Sequence, residues 1–348
     1  MNKNIKTIIM LAVLIAVTAV CVFLARMFYS GKNDKIISRS YTQEHFGTIM
    51  TITLYGSSEK ELDEIIADAF EEIQRLENIF SAKLQTSELS NLNENGLNNP
   101  VKVSLELYSV LKEAVEYNKL SDGALDVTIG HLIELWGIGT ENARIPSQSE
   151  LEAYAGMNGC DYLVLDDDTV SVWFTDSRVK LDLGAIAKGY AADVIKIMII
   201  DRNAEIYGLL DFGGNIMTVG SKAEGKPWVI GITDPFNVGS ACATVDIIDK
   251  CVVTSGNYER YFEKDGQRYH HILDPSTGAP SRSGIVSATI IGGNSMQCDA
   301  LSTASFIMGG ERAIKLIDSI DGVEAVLIDS DGNIYRSKKI DSYNLSFR

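Results

Sequence analysis

Small and charged residues alternate in the segment Asp182–Asp193, DLGAIAKGYAAD. Small side chains at positions 184, 185, 187, 189, 191 and 192 would let another group approach the backbone closely. A helix is predicted to begin near Lys188, and phosphate oxygens suit both the amides of a helix N-terminus and a lysine ammonium. The spacing differs from GxxxxGK(S/T), which excludes a Walker A motif. The segment therefore indicates either a phosphate-binding wall or a closely packed helix.

Two of the four histidines are adjacent, at His270 and His271, and they lead into the turn Asp274–Gly278, DPSTG. An imidazole titrates near the pH at which most enzymes work, so one of the pair could take a proton from a hydroxyl as a general base. Isolated His45 and His131 are more simply explained as structural residues.

A carboxylate and a hydroxyl recur four residues apart, at Asp299 and Thr303. On a helix this spacing places both side chains on one face. Together with a backbone carbonyl and phosphate oxygens they would suit Mg²⁺, which keeps few protein ligands. The alternative is that Asp299 caps a helix and Thr303 is buried.

The segment 121–128, SDGALDVT, predicts a turn before an apolar run. Its small residues could let a planar ligand approach the backbone, with Asp126 as a hydrogen-bonding partner. The alternative is the C-terminal end of a helix followed by an ordinary turn.

Strands with alternating apolar and polar residues, together with amphipathic helices, are predicted to position these residues. Thr48–Tyr55 alternates like a half-buried strand, and Ser58 with Glu61 suggests a capping box at the start of a helix that extends to Phe80. Further helices are predicted over 105–120, 188–200, 301–308 and 311–317, strands over 207–212, 228–233, 243–248 and 285–291, and a hairpin over 323–336. Because strands and helices do not alternate strictly and no GxGxxG is present, the sequence predicts an α+β fold with largely antiparallel sheet.

The N-terminus contains an apolar stretch, Ile8–Ala25, preceded by Lys3 and Lys6. Its length suits an uncleaved membrane anchor, which would place the rest of the chain on the extracytoplasmic side. A cleaved signal peptide and a lipoprotein signal ending at Cys21 are the alternatives. The sequence thus predicts an anchor or signal over residues 1–29, a polar tether over 30–41 and a single domain over 42–340.

The chain is acidic, with a formal net charge of −16. This charge argues against a nucleic-acid partner, which would require clustered lysine and arginine. The five cysteines show no CxxC or zinc-like spacing, which favours buried free thiols over a disulfide framework.

The order of these segments along the chain is more informative than any one of them. The ordered segments are FGT (46–48), FSAKLQTSELSNLN (80–93), SDGALDVTIGHLIELWGIG (121–139), DLGAIAKGYAAD (182–193), DFGGN (211–215), TSGNYER (254–260), HILDPSTG (271–278) and DALST (299–303). Together they resemble the ApbE family, the FAD:protein FMN transferases, over about residues 42–335.

This resemblance implies an ApbE-like, T-fold-like α+β domain with packed helices, preceded by one N-terminal transmembrane helix. Members of the family use Mg²⁺ and transfer FMN from FAD to a threonine or serine hydroxyl of an acceptor flavoprotein, with release of AMP. The acceptors are typically subunits of membrane redox complexes. The resemblance places Mg²⁺ on Ala185, Asp299 and Thr303, makes His271 the general base, and assigns FAD contacts to Phe46, Ser81, Ala124, Leu125, Asp126, Asp182, Lys188, His271 and Ile272.

Two positions depart from the family pattern. Phe46 stands where relatives often have methionine, and its ring could stack on the flavin in place of the methionine side chain. Ala185 offers only its carbonyl where some relatives have a hydroxyl residue. The same site would also serve an FAD pyrophosphatase, with water as the nucleophile, or an extracytoplasmic FAD-binding protein without turnover.

Overall fold

A computed structural model describes residues 35–348 of the chain. No helix within this range is both long and apolar enough to cross a bilayer. The predicted anchor over residues 1–29 lies outside the described residues. The tether prediction is too long, because residues 37–41 already belong to the first strand.

Helices account for much of the chain N-terminal to residue 205 and for a second group near the C-terminus. Their bounds are α1 Glu59–Phe80, α2 Glu88–Asn95, α3 Leu105–Leu120, α4 Gly130–Trp136, α5 Gln148–Glu152, α6 Ala187–Arg202, α7 Ser295–Met308 and α8 Gly310–Ile317.

The strands are short to medium in length and interleave with these helices. They are β1 Ile37–His45, β2 Thr48–Gly56, β3 Val101–Lys102, β4 Leu163–Asp166, β5 Ser171–Phe174, β6 Tyr207–Phe212, β7 Asn215–Val219, β8 Trp228–Thr233, β9 Ala241–Ile247, β10 Cys251–Gly256, β11 Tyr261–Lys264, β12 Gln267–His270, β13 Leu273–Asp274, β14 Ala279–Pro280, β15 Ile285–Gly292, β16 Glu324–Asp329, β17 Ile334–Arg336 and β18 Ser346–Phe347.

One large sheet organises the domain. Its strands lie in the order β1-β2-β6-β7-β10-β15-β16-β17 and every neighbouring pair is antiparallel. The predicted α+β class with largely antiparallel sheet is therefore confirmed.

Alternation along the strands gives the large sheet two apolar faces. Val253 of β10 packs in the main core, to which α1, α6 and α7 contribute, whereas neighbouring Val252 packs against a smaller sheet of β8, β9 and β18. The result is a layer of helices, a central sheet and a small outer sheet.

Two helix starts differ from the sequence prediction. Ser58 caps α1 by accepting from the Glu61 amide, but the Glu61 carboxylate accepts from Asn203 and does not complete a capping box. Helix α7 begins at Ser295, capped by Asn294, rather than at Leu301. Asp299 therefore lies inside the helix, and its interpretation as a helix cap is wrong.

The cysteines in the described residues are free thiols, as predicted. Cys160, Cys251 and Cys298 are buried, whereas Cys242 is half-buried.

Candidate active site

Helices α6 and α7 lie side by side and bind each other through two carboxylates. Asp299 of α7 accepts from the Gly189 amide of α6 at 3.0 Å, while Asp193 of α6 accepts from the amides of Ser295 and Met296, each at 2.9 Å. A Cβ atom on Gly189 would lie 2.3 Å from the Ser295 carbonyl oxygen. The small residues of the 182–193 segment thus do pack closely, and that packing brings the segment to Asp299.

Lys188 holds the only positive charge bound to Asp299 among residues 35–348. Its ammonium donates to the Gly184 carbonyl at 2.9 Å and lies 3.4 Å from both carboxylate oxygens of Asp299. Since Asp299 is only 4% exposed, an unpaired carboxylate here would be costly, and the ammonium offsets that cost.

The oxygen donors beside Asp299 suit a hard cation. Thr303 follows one helical turn after Asp299, and its hydroxyl lies 3.4 Å from that of Ser255. Ala185 is half-buried next to Gly184, where its carbonyl belongs to the loop that Lys188 contacts. No group of three or more His, Cys, Asp or Glu side chains in the described range could hold a metal, so a cation beside Asp299 would also need hydroxyl and carbonyl oxygens. A carboxylate, a hydroxyl and a carbonyl fit Mg²⁺, which completes its octahedron with water and phosphate oxygens.

The two adjacent histidines lie in different environments. His270 ends β12, is 4% exposed, and packs edge-on against Phe306 with its Nδ1 lacking a partner. His271 is half-buried, and its Nδ1 lies 3.2 Å from the Arg260 carbonyl. Because a carbonyl only accepts, Nδ1 carries the proton in this bond, which leaves Nε2 as the basic atom.

The His271 imidazole is neutral over the physiological range. Burial, followed by the positive charge of Arg260, lowers its pKa to about 3. Both imidazoles are neutral and each has one nitrogen without a protein partner, because burial also lowers the pKa of His270, to about 4. The free Nδ1 of His270 is buried, whereas His271 is half-buried, so His271 is the histidine whose free nitrogen an acceptor hydroxyl could reach.

A backbone hydrogen bond joins the predicted turn over 121–128 to the 182–193 segment. Asp182 donates its amide to the Val127 carbonyl at 2.8 Å, and its carboxylate accepts from the Gly184 amide at 2.9 Å. Half-buried Ala124 and fully buried Leu125 lie in the preceding turn.

The Asp126 carboxylate is engaged within the protein. It accepts from the Thr128 amide and hydroxyl at 2.8 and 2.5 Å and from the Gly159 amide at 3.3 Å. Burial raises the pKa of this carboxyl above its usual range. Asp126 therefore shapes the turn, and the predicted flavin contact there would fall to the backbone.

The other predicted contacts lie in three further segments of the chain. The Ser81 hydroxyl accepts from the amides of Lys83 and Leu84 at 3.3 and 3.2 Å, and its carbonyl accepts from Ser87. Ile272 is buried directly after His271. Phe46 is half-buried in the turn between β1 and β2, and Arg260 reaches that turn by donating to the Gly47 carbonyl at 2.8 Å.

Glu259 and Arg260 are functional candidates that the sequence analysis quoted only as part of a segment. Glu259 is exposed, and its carboxyl lies within range of the charges of Lys188 and Asp299. Loss of hydration raises its pKa to about 7, while Lys188 and Arg260 oppose the rise. The signal in the sequence was the charged pair at the end of TSGNYER.

Comparison with known proteins agrees with this geometry. The sequence profile of the ApbE family matches residues 46–327. The FAD:protein FMN transferase of Treponema pallidum is 33% identical over 327 residues, covering 89% of this chain and 90% of that protein. The Vibrio cholerae enzyme of the same name is 37% identical over 251 residues, covering 71% of this chain and 74% of its own length. The crystal structure of the ApbE protein from Thermotoga maritima superposes with a TM-score of 0.82 at 36% identity, covering 88% of this chain and 99% of that one.

Proposed function

Since the chain belongs to the ApbE family and is an FAD:protein FMN transferase, we propose that it uses Mg²⁺ to move FMN from FAD to a threonine or serine hydroxyl of an acceptor flavoprotein. One observation carries the proposal. Lys188 lies 3.4 Å from Asp299, and its charge also acts on His271. This supports a site in which the lysine proposed to bind phosphate and the candidate base lie within range of each other's charge.

The proposed reaction exchanges the phosphoanhydride bond of FAD for a phosphate ester to the acceptor. The acceptor oxygen forms a bond to the FMN-side phosphorus, and the bond from that phosphorus to the bridging oxygen breaks, so AMP leaves. Nε2 of His271 takes the hydroxyl proton, because Nδ1 is bound to the Arg260 carbonyl. Lys188 places a positive charge near the phosphates.

A bound Mg²⁺ would neutralise charge on the pyrophosphate during transfer. Asp299, Thr303 and the Ala185 carbonyl would hold it. Burial of Asp299 at 4% exposure keeps bulk water away and strengthens the interaction.

The decisive experiment uses the purified protein with FAD, Mg²⁺ and an acceptor peptide bearing one threonine. Covalent, acid-stable flavin on the peptide with stoichiometric AMP supports transfer. Free FMN in place of labelled peptide would show a pyrophosphatase, and intact FAD would show a binding protein. A peptide with alanine at the threonine position is the matched control.

We also propose that the enzyme works at a membrane. The support is the apolar stretch Ile8–Ala25 with the preceding lysines, which suits a single anchor with the catalytic domain on the extracytoplasmic side. An acceptor subunit of a membrane redox complex would then be within reach of the cleft.

A further inference from the structure

The turn between β1 and β2 breaks a local sequence rule. His45 pairs with Thr48, so Phe46 and Gly47 are the two central residues, with φ of +52° and +64°. Two positive φ values in a two-residue hairpin are typical of a type I′ turn, whose first position favours asparagine, aspartate or glycine. A phenylalanine there costs free energy, so contacts elsewhere must hold it.

Glu77 of α1 supplies the first of those contacts. Its Oε1 accepts from the Phe46 amide at 2.6 Å, and its Oε2 lies 3.0 Å from Nδ1 of His45. His45 is 6% exposed, so the carboxylate holds the turn from a buried side. A hydrogen bond to a charged acceptor is stronger than one between neutral groups.

Arg260 supplies the second contact, from a segment 213 residues further along the chain than Gly47. Its guanidinium donates to the Gly47 carbonyl at 2.8 Å, so two backbone groups of the turn, the Phe46 amide and the Gly47 carbonyl, each bind a charged side chain. The turn also packs closely against the DFGGN segment. A Cβ atom on Gly213 would lie 2.2 Å from the Thr48 hydroxyl oxygen.

We infer that Glu77 and Arg260 are positioning residues that hold the His45–Gly47 turn so that Phe46 faces the flavin of FAD. The inference rests on the proposed function, because that function supplies the flavin. Arg260 performs a second task through its backbone, since its carbonyl binds Nδ1 of His271 at 3.2 Å. Changing the side chains should therefore impair FAD binding and leave proton transfer largely intact.

The test measures KM for FAD and kcat for AMP release in Glu77→Ala and Glu77→Gln. We expect Glu77→Ala to raise KM about tenfold, the effect of losing one charged hydrogen bond, and to change kcat by less than about threefold. Glu77→Gln should be intermediate, because its amide oxygen can still accept from Phe46. Glu71→Ala, which removes the same charge from an exposed position on α1, is the matched control.

Hydrogen–deuterium exchange over residues 43–50 gives a readout that does not depend on catalysis. Exchange should quicken in Glu77→Ala and in Arg260→Met, and not in Glu71→Ala. A protein with Phe46→Gly has no strain at this position, so adding Glu77→Ala to it should raise KM less than it does in the native background.

An unchanged KM with unchanged exchange in Glu77→Ala would overturn the inference. A fall in kcat at constant KM, or full additivity with Phe46→Gly, would do the same. If Glu77→Ala does not fold, Glu77→Gln decides the matter by the same measurements. If the native protein releases no AMP from FAD, the proposed function fails, and exchange over residues 43–50 still decides whether Glu77 and Arg260 hold the turn.

Discussion

At the scale of single residues, the site depends on charged side chains that each contact few protein groups. Asp299 is nearly buried and binds one amide and one ammonium. Lys188 compensates this carboxylate, and in the proposed Mg²⁺ complex the cation would take over that part and leave Lys188 available to phosphate. The pair is therefore suited to binding a cation and an anion together.

Replacing Asp299 by asparagine tests the cation site. The change removes the carboxylate one helical turn before Thr303, so we expect the Mg²⁺ concentration for half-maximal activity to rise at least about tenfold. Calorimetric titration of Mg²⁺ into the protein without FAD gives an independent measure. Asp201→Asn, at an exposed position on α6, is the control, and an unchanged Mg²⁺ titration in Asp299→Asn would refute the assignment.

Replacing His271 by alanine tests the base. A general base contributes about 10²–10⁴-fold, so the transfer rate should fall by roughly that factor. Quenching of flavin fluorescence should show that FAD still binds. His131→Ala, at a half-buried histidine outside the cleft, should retain activity. Full activity in His271→Ala would mean that another group accepts the proton.

The pH dependence of KM for FAD should report Glu259 rather than a histidine. Burial lowers the pKa of His271 to about 3, so this residue does not titrate near neutrality. Glu259 has its pKa raised to about 7, so above that pH it becomes negative beside the phosphates and should increase KM. Glu259→Gln should abolish the inflection, whereas an inflection that persists in this variant would assign it to a different group.

At the scale of elements, the contact between α6 and α7 decides the geometry of the site. Each helix donates backbone amides to a carboxylate of the other, through Asp193 and Asp299. These bonds satisfy amides in first turns, which have no partner inside their own helix. Close approach is possible because residue 189 is glycine.

A methyl group at position 189 should therefore disturb stability and function together. Gly189→Ala would place Cβ 2.3 Å from the Ser295 carbonyl oxygen and 2.6 Å from Cα of Met296. Such overpacking typically lowers the free energy of unfolding by about 1–3 kcal/mol, which urea denaturation can measure. Gly293→Ala is the control, because a Cβ there meets nothing within 4 Å. Equal stability of the two variants would show that the helices can separate at no cost.

At the scale of the whole molecule, a helical layer and a small outer sheet cover the two faces of one antiparallel sheet. Segments far apart in sequence converge where α6 and α7 meet the loops after β10 and β12. Trp136, for example, donates to the Gly278 carbonyl at 2.7 Å and ties the LWGIG segment to the DPSTG turn.

The N-terminal stretch should govern location and not catalysis. We expect the full chain to fractionate with membranes and a chain starting at residue 35 to be soluble with unchanged FAD turnover. A protein labelled at its catalytic domain should be open to protease in intact spheroplasts. Cys21→Ser distinguishes lipidation from a protein anchor, since only a lipoprotein would lose membrane association. Recovery of the full chain in the soluble fraction would contradict the anchor.

The sequence by itself determined the fold class, most element positions and the family. Alternation and helical periodicity are local properties, so β2, α3 and the hairpin of β16 and β17 could be predicted from neighbouring residues. The ordered motifs identified the family because each keeps its own local residue pattern.

Only the tertiary structure decided which polar groups are free to act. It separated His271 from His270, placed Asp299 within α7, and showed that the Asp126 carboxylate already has internal partners. It also revealed Glu77 and Arg260 on the Phe46 turn. The physical reason is that a side chain's availability depends on its hydrogen-bond partners and burial, and many of these partners are distant in sequence, as Gly189 is from Asp299.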